Sequence, residues 1–301
     1  MAEIEHEEWK GNTGGTNWMH KSLIWIFAHV NLRLVYAFMA VFVIPFYMLF
    51  AHKGYISMYH FFRQRMKYGV LKSFAYVYRN HYRFGQVILD RFAVYAGKKF
   101  DFTIEGNDLF VNLCEQEPGF MVLSSHVGNY ELAGYAFHAT KKKFNALVFS
   151  GEAKVVMENR QRVLGGHNIN MIPMSADMSH VILMNDALQS GEIVSIPGDR
   201  IFGSPRFLEC EFFGEKAKFP LGPYAIASRK KTEVLAIFVM KESVYHYRVF
   251  VRKINTDMTG LKRDEKAAQL AQSFASEIED VVRRYPEQWF NYYEFWNDDK
   301  S

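Results

Sequence analysis

The sequence predicts an α/β fold in which helices flank a mixed β-sheet, preceded by N-terminal helices that associate with a membrane. Apolar segments of strand length alternate with helical segments from residue 100 onward, which is typical of an α/β sheet. A run without any Asp, Glu, Lys or Arg occupies residues 34–52. Aromatic residues make up 16% of the chain, a high share that suits contact with acyl chains or a membrane.

The N-terminal part begins with a polar, acidic stretch over residues 1–16, which predicts an arm. The apolar segment 23–32 and the charge-free run 34–52 predict helices, and the run is long enough to cross a bilayer core of about 30 Å. Three interpretations stay open: a spanning anchor, a helical hairpin in the membrane interface, and a buried core helix. Basic residues on both sides of the run leave its orientation undecided.

Aromatic and basic residues alternate over residues 55–97 and predict two helices separated at Gly69. Beside the charge-free run, this pattern favours aromatic anchors and Arg side chains at a bilayer surface, although a plain amphipathic helix pair fits as well. The net charge of +4 does not indicate nucleic-acid binding and is compatible with anionic headgroups or an acidic carrier protein. We therefore divide the chain into a polar arm (1–16), membrane-associating helices (17–97) and an α/β domain (98–301).

Within the α/β domain, the elements follow from apolar periodicity and from the Gly, Pro and Asn residues that separate them. We expect strands at 100–104, 119–123, 144–150, 168–173, 192–196, 206–213, 234–240 and 245–254. We expect helices at 108–116, 129–140, 152–164, 177–189, 221–229 and 262–285.

Residues 124–131 carry the chemistry that the rest of the chain positions. The preceding strand and the following helix, with Asn129 as its N-cap, place His126 at the carboxyl end of a strand and Glu131 in the first helical turn. Ligands bind at that edge of open α/β sheets. Neutral imidazole takes up a proton near pH 7, and a carboxylate on its other nitrogen fixes the tautomer. Backbone N–H groups at the helix start are candidates to stabilise an oxyanion.

The spacing of His126 and Glu131 is weak evidence by itself, since a capping Glu near a hydrogen-bonded His gives the same pattern. Further candidates bind substrate: Asp199 and Arg200 after a strand, Arg206 beyond them, and Arg160 in the helix expected at 152–164. An Arg side chain offers a planar fork of donors for a phosphate or carboxylate. No metal-ligand spacing and no dinucleotide fingerprint are present, so we expect neither a metal nor a cofactor.

Four blocks in the sequence resemble, in order, the late acyltransferases of lipid A biosynthesis, the lauroyl and myristoyl transferases, and their relatives in lipid and aryl-polyene gene clusters. They are His-Val-Gly-Asn-Tyr-Glu at 126–131, Pro-Gly-Asp-Arg and the Gly and Arg beyond it at 197–206, Phe-Phe-Gly-Glu-Lys-Ala at 212–217, and Arg-Tyr-Pro-Glu-Gln-Trp-Phe at 284–290. The chain departs from the family pattern at Arg200, where many members have Gln, and at 292–296, where members usually carry His-Arg-Arg-Trp. The acceptor of this chain therefore need not be lipid A.

The resemblance implies an acyltransferase that moves a fatty acyl group from a thioester of acyl carrier protein or coenzyme A to a hydroxyl or amine of a lipid or other amphipathic acceptor. It implies His126 as general base oriented by Glu131, with no acyl-enzyme and no cofactor. It places the protein at the cytoplasmic face of the bacterial inner membrane, with the carrier or acyl-CoA, a lipid acceptor and the membrane as partners and no nucleic acid. Two alternatives stay open: a non-catalytic lipid-binding protein and a thioester hydrolase.

Overall fold

A computed structural model describes residues 17–50, 52–137, 141–148, 168–175, 178–201, 206–229, 232–254, 259–292 and 295–296. The polar arm predicted at 1–16 and the helix predicted at 152–164, with Arg160, lie outside the described residues.

A seven-stranded sheet in the order β1-β9-β8-β2-β5-β3-β4 forms the centre of the molecule. Its strands are β1 (Asp101–Glu105), β2 (Phe120–Ser124), β3 (Phe144–Val148), β4 (Ile169–Pro173), β5 (Ile193–Pro197), β8 (Val234–Lys241) and β9 (His246–Lys253). A separate antiparallel hairpin comprises β6 (Phe207–Phe212) and β7 (Glu215–Pro220). The β8–β9 pair is antiparallel and the other pairs in the large sheet are parallel, which confirms the predicted mixed sheet.

The central strands are apolar on both faces because both faces are covered. Every residue of β2 and of β8 is buried. One face packs on the C-terminal helix through Phe274 and Ile278, and the other packs on Phe110 and Phe137. Continuous apolar runs of this kind are the mark of strands buried on both sides.

The helices run in chain order around this sheet. They are α1 (Asn17–His29), α2 (Leu32–Phe38), α3 (Ile44–Phe50), α4 (His52–His60), α5 (Val70–Tyr95), α6 (Asn107–Glu115), α7 (Ala133–Ala136), α8 (Ser179–Gln189), α9 (Leu221–Arg229) and α10 (Arg263–Arg284). Gly69 precedes the first turn of α5, so the predicted break at this residue is confirmed.

A π-helical turn, Met39–Val43, joins α2 and α3 into one apolar helix, Leu32–Phe50, that is long enough to cross a membrane. Its inner side packs on α5 so closely that a Cβ on Gly85 would lie 2.4 Å from the Met39 sulfur. Only 22% of the helix is buried, so the interpretation as a buried core helix is wrong. Its outer side exposes a continuous set of large apolar residues: Leu34, Phe38, Val41, Phe42, Phe46, Tyr47, Leu49 and Phe50.

The helix predicted at 129–140 is wrong in length and in its cap. The chain forms a 3₁₀ turn over Tyr130–Leu132 and the single α-helical turn of α7, and Phe137 is extended. Asn129 does not cap them, because its side-chain amide donates to the Tyr247 hydroxyl at 3.2 Å. Tyr247 of β9 thus binds the Asn129 side chain, which the local sequence predicted to cap the helix.

Candidate active site

His126 and Asp199 meet because the strands that carry them are paired in register. Ser124, the last residue of β2, lies opposite Pro197, the last residue of β5. The Gly198 N–H donates to the Ser124 carbonyl at 2.9 Å, which extends the pairing by one step. His126 and Asp199 each come two residues after the paired ends, so both lie at the carboxyl edge of the parallel strands, where α/β sheets bind ligands.

Asp199 holds His126 by its backbone and its ring. The His126 backbone N–H donates to Asp199 Oδ2 at 2.7 Å, and His126 Nδ1 lies 3.0 Å from Oδ1 and 3.2 Å from Oδ2. Because an ionised carboxylate only accepts, the proton of the neutral ring is on Nδ1 and the lone pair is on Nε2. The His126 side chain is 21% exposed and that of Asp199 is 4% exposed. The arrangement therefore presents His126 as a base whose ring is held by the buried Asp199 carboxylate.

The protonation states match that role. Burial lowers the pKa of His126, the Arg200 guanidinium lowers it further, and Asp199 offsets only part of the shift. Burial by itself would raise the pKa of Asp199, but the contacts with His126 and the charge of Arg200 bring it below its usual range. At neutral pH the pair therefore consists of a neutral imidazole and an ionised carboxylate, as a general base and its orienting group require.

The loop after His126 turns at a glycine that the packing requires. Gly128 has φ +67°, and a Cβ there would lie 2.2 Å from the Val239 carbonyl oxygen. The Gly128 N–H donates to the Gln288 carbonyl at 2.8 Å, and the Asn129 N–H donates to the Val239 carbonyl at 2.7 Å. These two N–H groups hold the loop on its neighbours, so neither of them is available to an oxyanion.

A C-terminal strap, residues 286–291, forms the other side of this loop. Trp289 pairs with Val127 in an antiparallel bridge, and the Phe290 N–H donates to the His126 carbonyl at 3.0 Å. The Gln288 side chain bonds both backbone groups of Lys241, accepting at 2.8 Å and donating at 2.9 Å. The Pro-Glu-Gln-Trp block thus positions the loop that carries His126, although it lies more than 150 residues away in the chain.

Two side chains hold the strap from outside it. The Asn80 amide of α5 donates to the carbonyls of Glu287 at 3.2 Å and Trp289 at 2.8 Å. Arg200 donates to the Phe290 carbonyl. Arg200, predicted to bind substrate, is thereby placed between Asp199 and the strap. Arg206 is exposed beside β6, its carbonyl accepts from Leu221, and its predicted substrate role stays a prediction.

Glu131 is not the residue on His126 Nδ1. Its carboxylate forms an ion pair with Arg91 of α5, and the carboxylate on the ring belongs to Asp199. The prediction that Glu131 orients His126 is corrected on this point. The turn that follows His126 directs Glu131 toward α5, whereas the register of β2 and β5 brings Asp199 under the ring. A sequence signal existed: each residue stands three positions after the end of a predicted strand.

The remaining motif blocks build an aromatic cluster beneath the strap. Phe212 and Phe213, at the β6–β7 turn, contact Trp289 at centroid distances of 5.8 and 6.4 Å. Phe61 packs edge-on against Trp289 at 4.5 Å, and the Trp296 indole donates to the Phe212 carbonyl at 3.1 Å. The Phe-Phe-Gly and Pro-Glu-Gln-Trp blocks therefore contact each other and support the site through packing.

The described part of the chain holds no group of three or more His, Cys, Asp or Glu residues arranged to bind a metal ion. Cys210 is buried, and burial raises the pKa of its thiol to about 12. A thiol that stays protonated at neutral pH is a poor nucleophile. The chemistry that the site can perform is proton transfer at His126 Nε2.

Comparison with known proteins agrees with the resemblance in the sequence. The family model for the bacterial lipid A biosynthesis acyltransferases matches residues 80–297, which contain all four motif blocks. No curated protein matches the sequence. Among solved structures, the chain is similar to the crystal structure of the 1-acyl-sn-glycerophosphate (LPA) acyltransferase PlsC from Thermotoga maritima, with 14% identity and a TM-score of 0.37. That alignment covers 90% of this chain and 99% of the other.

Proposed function

Since this chain belongs to the bacterial lipid A biosynthesis acyltransferase family and is an acyltransferase acting on a lipid, we propose that it uses His126 as the general base for direct transfer from a thioester to a hydroxyl or amine. The observation that carries this proposal is the His126–Asp199 pair at the carboxyl edge of the sheet, with Nδ1 on the carboxylate. In the part of the chain that the structure describes, Nε2 has no hydrogen-bond partner, so it is available to a substrate.

The reaction follows from that geometry. The acceptor hydroxyl donates its proton to His126 Nε2 while its oxygen attacks the thioester carbonyl carbon, and a tetrahedral oxyanion forms. Asp199 stabilises the imidazolium that results, since its carboxylate already accepts the Nδ1 proton. The intermediate collapses with cleavage of the carbon–sulfur bond, and the proton on Nε2 passes to the departing thiolate. The products are the acylated lipid and the free thiol of the donor, and no acyl-enzyme forms.

Glu131 has a positioning role in this proposal. Its ion pair with Arg91 ties the turn after His126 to α5, which in turn holds the strap through Asn80. Arg200 contributes to the site by holding the strap and by lowering the pKa of both His126 and Asp199. The donor is acyl carrier protein or acyl-CoA, and both deliver the same thioester to the base.

The membrane attachment in this proposal uses the exposed side of the Leu32–Phe50 helix. The helix packs on α5 along its inner side, and α5 also contacts the strap, so the apolar surface and the catalytic loop share one support. Trp18 and Trp25 of α1 add exposed indoles, which favour the headgroup region of a bilayer. We place the protein at the cytoplasmic face of the bacterial inner membrane, where a lipid acceptor reaches the site from the bilayer.

Lipid mass spectrometry tests the proposal in cells that carry the wild type, the His126→Ala variant, or no copy of the gene. We expect one acylated lipid to disappear equally in the deletion and in His126→Ala, and its mass to identify the acceptor and the acyl chain. His246→Ala is the matched control, because it removes an imidazole of β9 that pairs with Glu242 in the β8–β9 turn, and it should keep the lipid.

Two outcomes would overturn parts of the proposal. If the His126→Ala strain kept the wild-type lipid profile while the deletion strain lost the acylated lipid, the catalytic proposal would fail. The alternative of a non-catalytic lipid-binding protein would then take its place. With purified protein, thioester cleavage at the same rate with and without acceptor would identify a hydrolase, since water would then serve as the nucleophile.

A further inference from the structure

An open cavity of about 410 Å³ lies beside α5, away from His126 but at the same edge of the sheet. Its lining combines one face of α5 with the turn between β8 and β9: Arg79, Tyr82, Arg83, Gln86, Ser243 and Val244. The volume falls within the range of about 300–1,000 Å³ that is usual for small-molecule sites. The motif blocks do not include these residues, and the proposed reaction does not use them.

The cavity has a positive lining with no carboxylate among its described residues. Arg83 donates to the neutral Gln86 amide oxygen at 3.0 Å, and within the described ranges no carboxylate contacts it. Arg79 lies 3.5 Å from Glu287 and over the Tyr76 ring at 4.8 Å. By comparison, Arg248 lies 2.8 Å from Glu105, a closer ion pair than that of Arg79. Arg83 in particular carries a charge that the fold leaves for a ligand.

The place of the cavity connects it with both the catalytic loop and the apolar helix. Val239 of β8 pairs with Gly128, and the same strand continues through Lys241 into the turn with Ser243. On the other side, Tyr82 contacts the Tyr36 ring at 6.5 Å, and the neighbouring Tyr78 donates to the Ala40 carbonyl at 2.7 Å. A ligand in the cavity is therefore flanked by the helix whose outer side is apolar.

We propose that this cavity binds the phosphate group of an amphipathic lipid, with the lipid chains along the exposed side of the Leu32–Phe50 helix. Two guanidinium groups four residues apart on one helix face present forks of N–H donors, which match phosphate oxygens bidentately. The Ser243 hydroxyl and the Gln86 amide add neutral donors. That this lipid is the acyl acceptor rests on the proposed function; binding of its phosphate does not.

Vesicle co-sedimentation with the purified full chain tests the site without turnover. The vesicles are phosphatidylcholine alone, phosphatidylcholine with phosphatidate, and phosphatidylcholine with enough oleic acid to give the same surface charge. We expect phosphatidate to strengthen binding beyond the oleic acid vesicles. The double variant Arg79→Gln/Arg83→Gln should lose that difference. We expect it to bind phosphatidate vesicles at least about tenfold more weakly, because it lacks the charge-assisted hydrogen bonds to the phosphate.

The matched control is Lys143→Gln/Arg263→Gln, which removes the same charge from exposed positions before β3 and at the start of α10. The control should bind all three vesicles as the wild type does. Equal loss in both double variants, or no loss in Arg79→Gln/Arg83→Gln, would overturn the proposal. Far-ultraviolet circular dichroism and the unfolding temperature show whether each variant is folded, and Arg83→Lys should lose part of the phosphatidate preference because it keeps the charge without the fork.

Competition identifies the source of the phosphate. If the cavity binds a lipid phosphate, a short-chain phosphatidate should compete with the vesicles for the protein. Inorganic phosphate and coenzyme A at equal concentration should not compete. Competition by coenzyme A would assign the cavity to the donor and would overturn the lipid assignment. His126→Ala separates this result from the proposed function, because it should keep phosphatidate binding and lose turnover; retained turnover would refute the catalytic proposal while the binding result stands.

Discussion

Two acid–base pairs lie near the same edge of the sheet, and solvent reaches only one of them. In the His126–Asp199 pair the imidazole is 21% exposed, whereas Lys241 and Asp90 are 1% and 0% exposed. Each pair joins a cation-forming side chain to an aspartate at hydrogen-bond distance, 3.0 Å in the first and 2.6 Å in the second. Their environments therefore decide what each pair does.

The Lys241–Asp90 pair, which we call the sealed pair, makes its hydrogen bonds inside the protein. Asp90 accepts from Lys241, Tyr36 and Tyr247, and Lys241 also donates to the Val244 carbonyl at 3.1 Å. Burial raises the pKa of the Asp90 carboxyl, although Lys241 and the phenols oppose the rise. In the His126–Asp199 pair, the open pair, one ring nitrogen is bound and the other has no hydrogen-bond partner among the described residues. Loss of one partner from a saturated buried pair destabilises the fold, whereas a pair whose imidazole is partly exposed can perform chemistry.

The two pairs are also connected. Asn129 donates to the Tyr247 hydroxyl at 3.2 Å, and Tyr247 donates to Asp90, so the sealed pair supports the loop three residues from His126. Tyr36 joins the same aspartate from the apolar helix. The comparison predicts that changes at the open pair reduce activity and that changes at the sealed pair reduce stability.

The largest effect is expected for His126→Ala. Removal of a general base typically costs about 10²–10⁴-fold in rate, so acyl transfer by the purified enzyme should fall within that range. The free energy of unfolding in urea should stay close to that of the wild type, because the ring is partly exposed and packs loosely against Tyr130 at 5.6 Å. If His126→Ala lost much of its stability as well as its activity, the distinction between a catalytic pair and a structural pair would be wrong.

Lys241→Met is expected to have the opposite profile. It leaves Asp90 buried without its cation, which typically costs about 3–5 kcal/mol in the free energy of unfolding. Urea unfolding followed by fluorescence measures this loss, and the double variant Asp90→Asn/Lys241→Met should recover part of it. Wild-type stability for Lys241→Met would show that the sealed pair is not a structural element.

The third expectation separates the two carboxylates near His126. Asp199→Asn removes the charge under the ring and should lower the rate about a hundredfold. Glu131→Gln keeps a hydrogen-bonding group for Arg91, so its rate should fall less than about tenfold. Steady-state rates at saturating donor measure both. If Glu131→Gln had the larger effect, the orienting role would return to the residue that the sequence indicated.

The smallest expected effect is a shift in the pH profile. A general base works when unprotonated, and the pKa of His126 is lowered from the ordinary imidazole value of about 6.5. The rate should therefore be flat from neutral pH upward and fall only below an inflection that lies under 6.5. Asp199→Asn should move the inflection lower still, since Asp199 raises the pKa of His126. An inflection above 6.5 in the wild type would contradict this assignment of the base.

Periodicity in the sequence located the elements with few errors. The predicted helix 221–229 matches α9, and the break at Gly69 matches the start of α5. These elements depend on local features, namely apolar spacing and a residue that ends a helix, so the sequence contains the information for them. The helix predicted at 129–140 failed because Asn129 and its neighbours are fixed by β8, β9 and the strap.

The sequence by itself determined the α/β class, an apolar helix long enough for membrane contact, and His126 at the end of a strand, because each depends on nearest neighbours in the chain. Tertiary structure alone decided which carboxylate lies under that ring. Glu131 is nearer in sequence, but the turn directs it to Arg91, and the register of β2 with β5 brings Asp199 to Nδ1 from 73 residues away. Side chains distant in the chain meet through strand pairing, and linear spacing carries no information about that pairing.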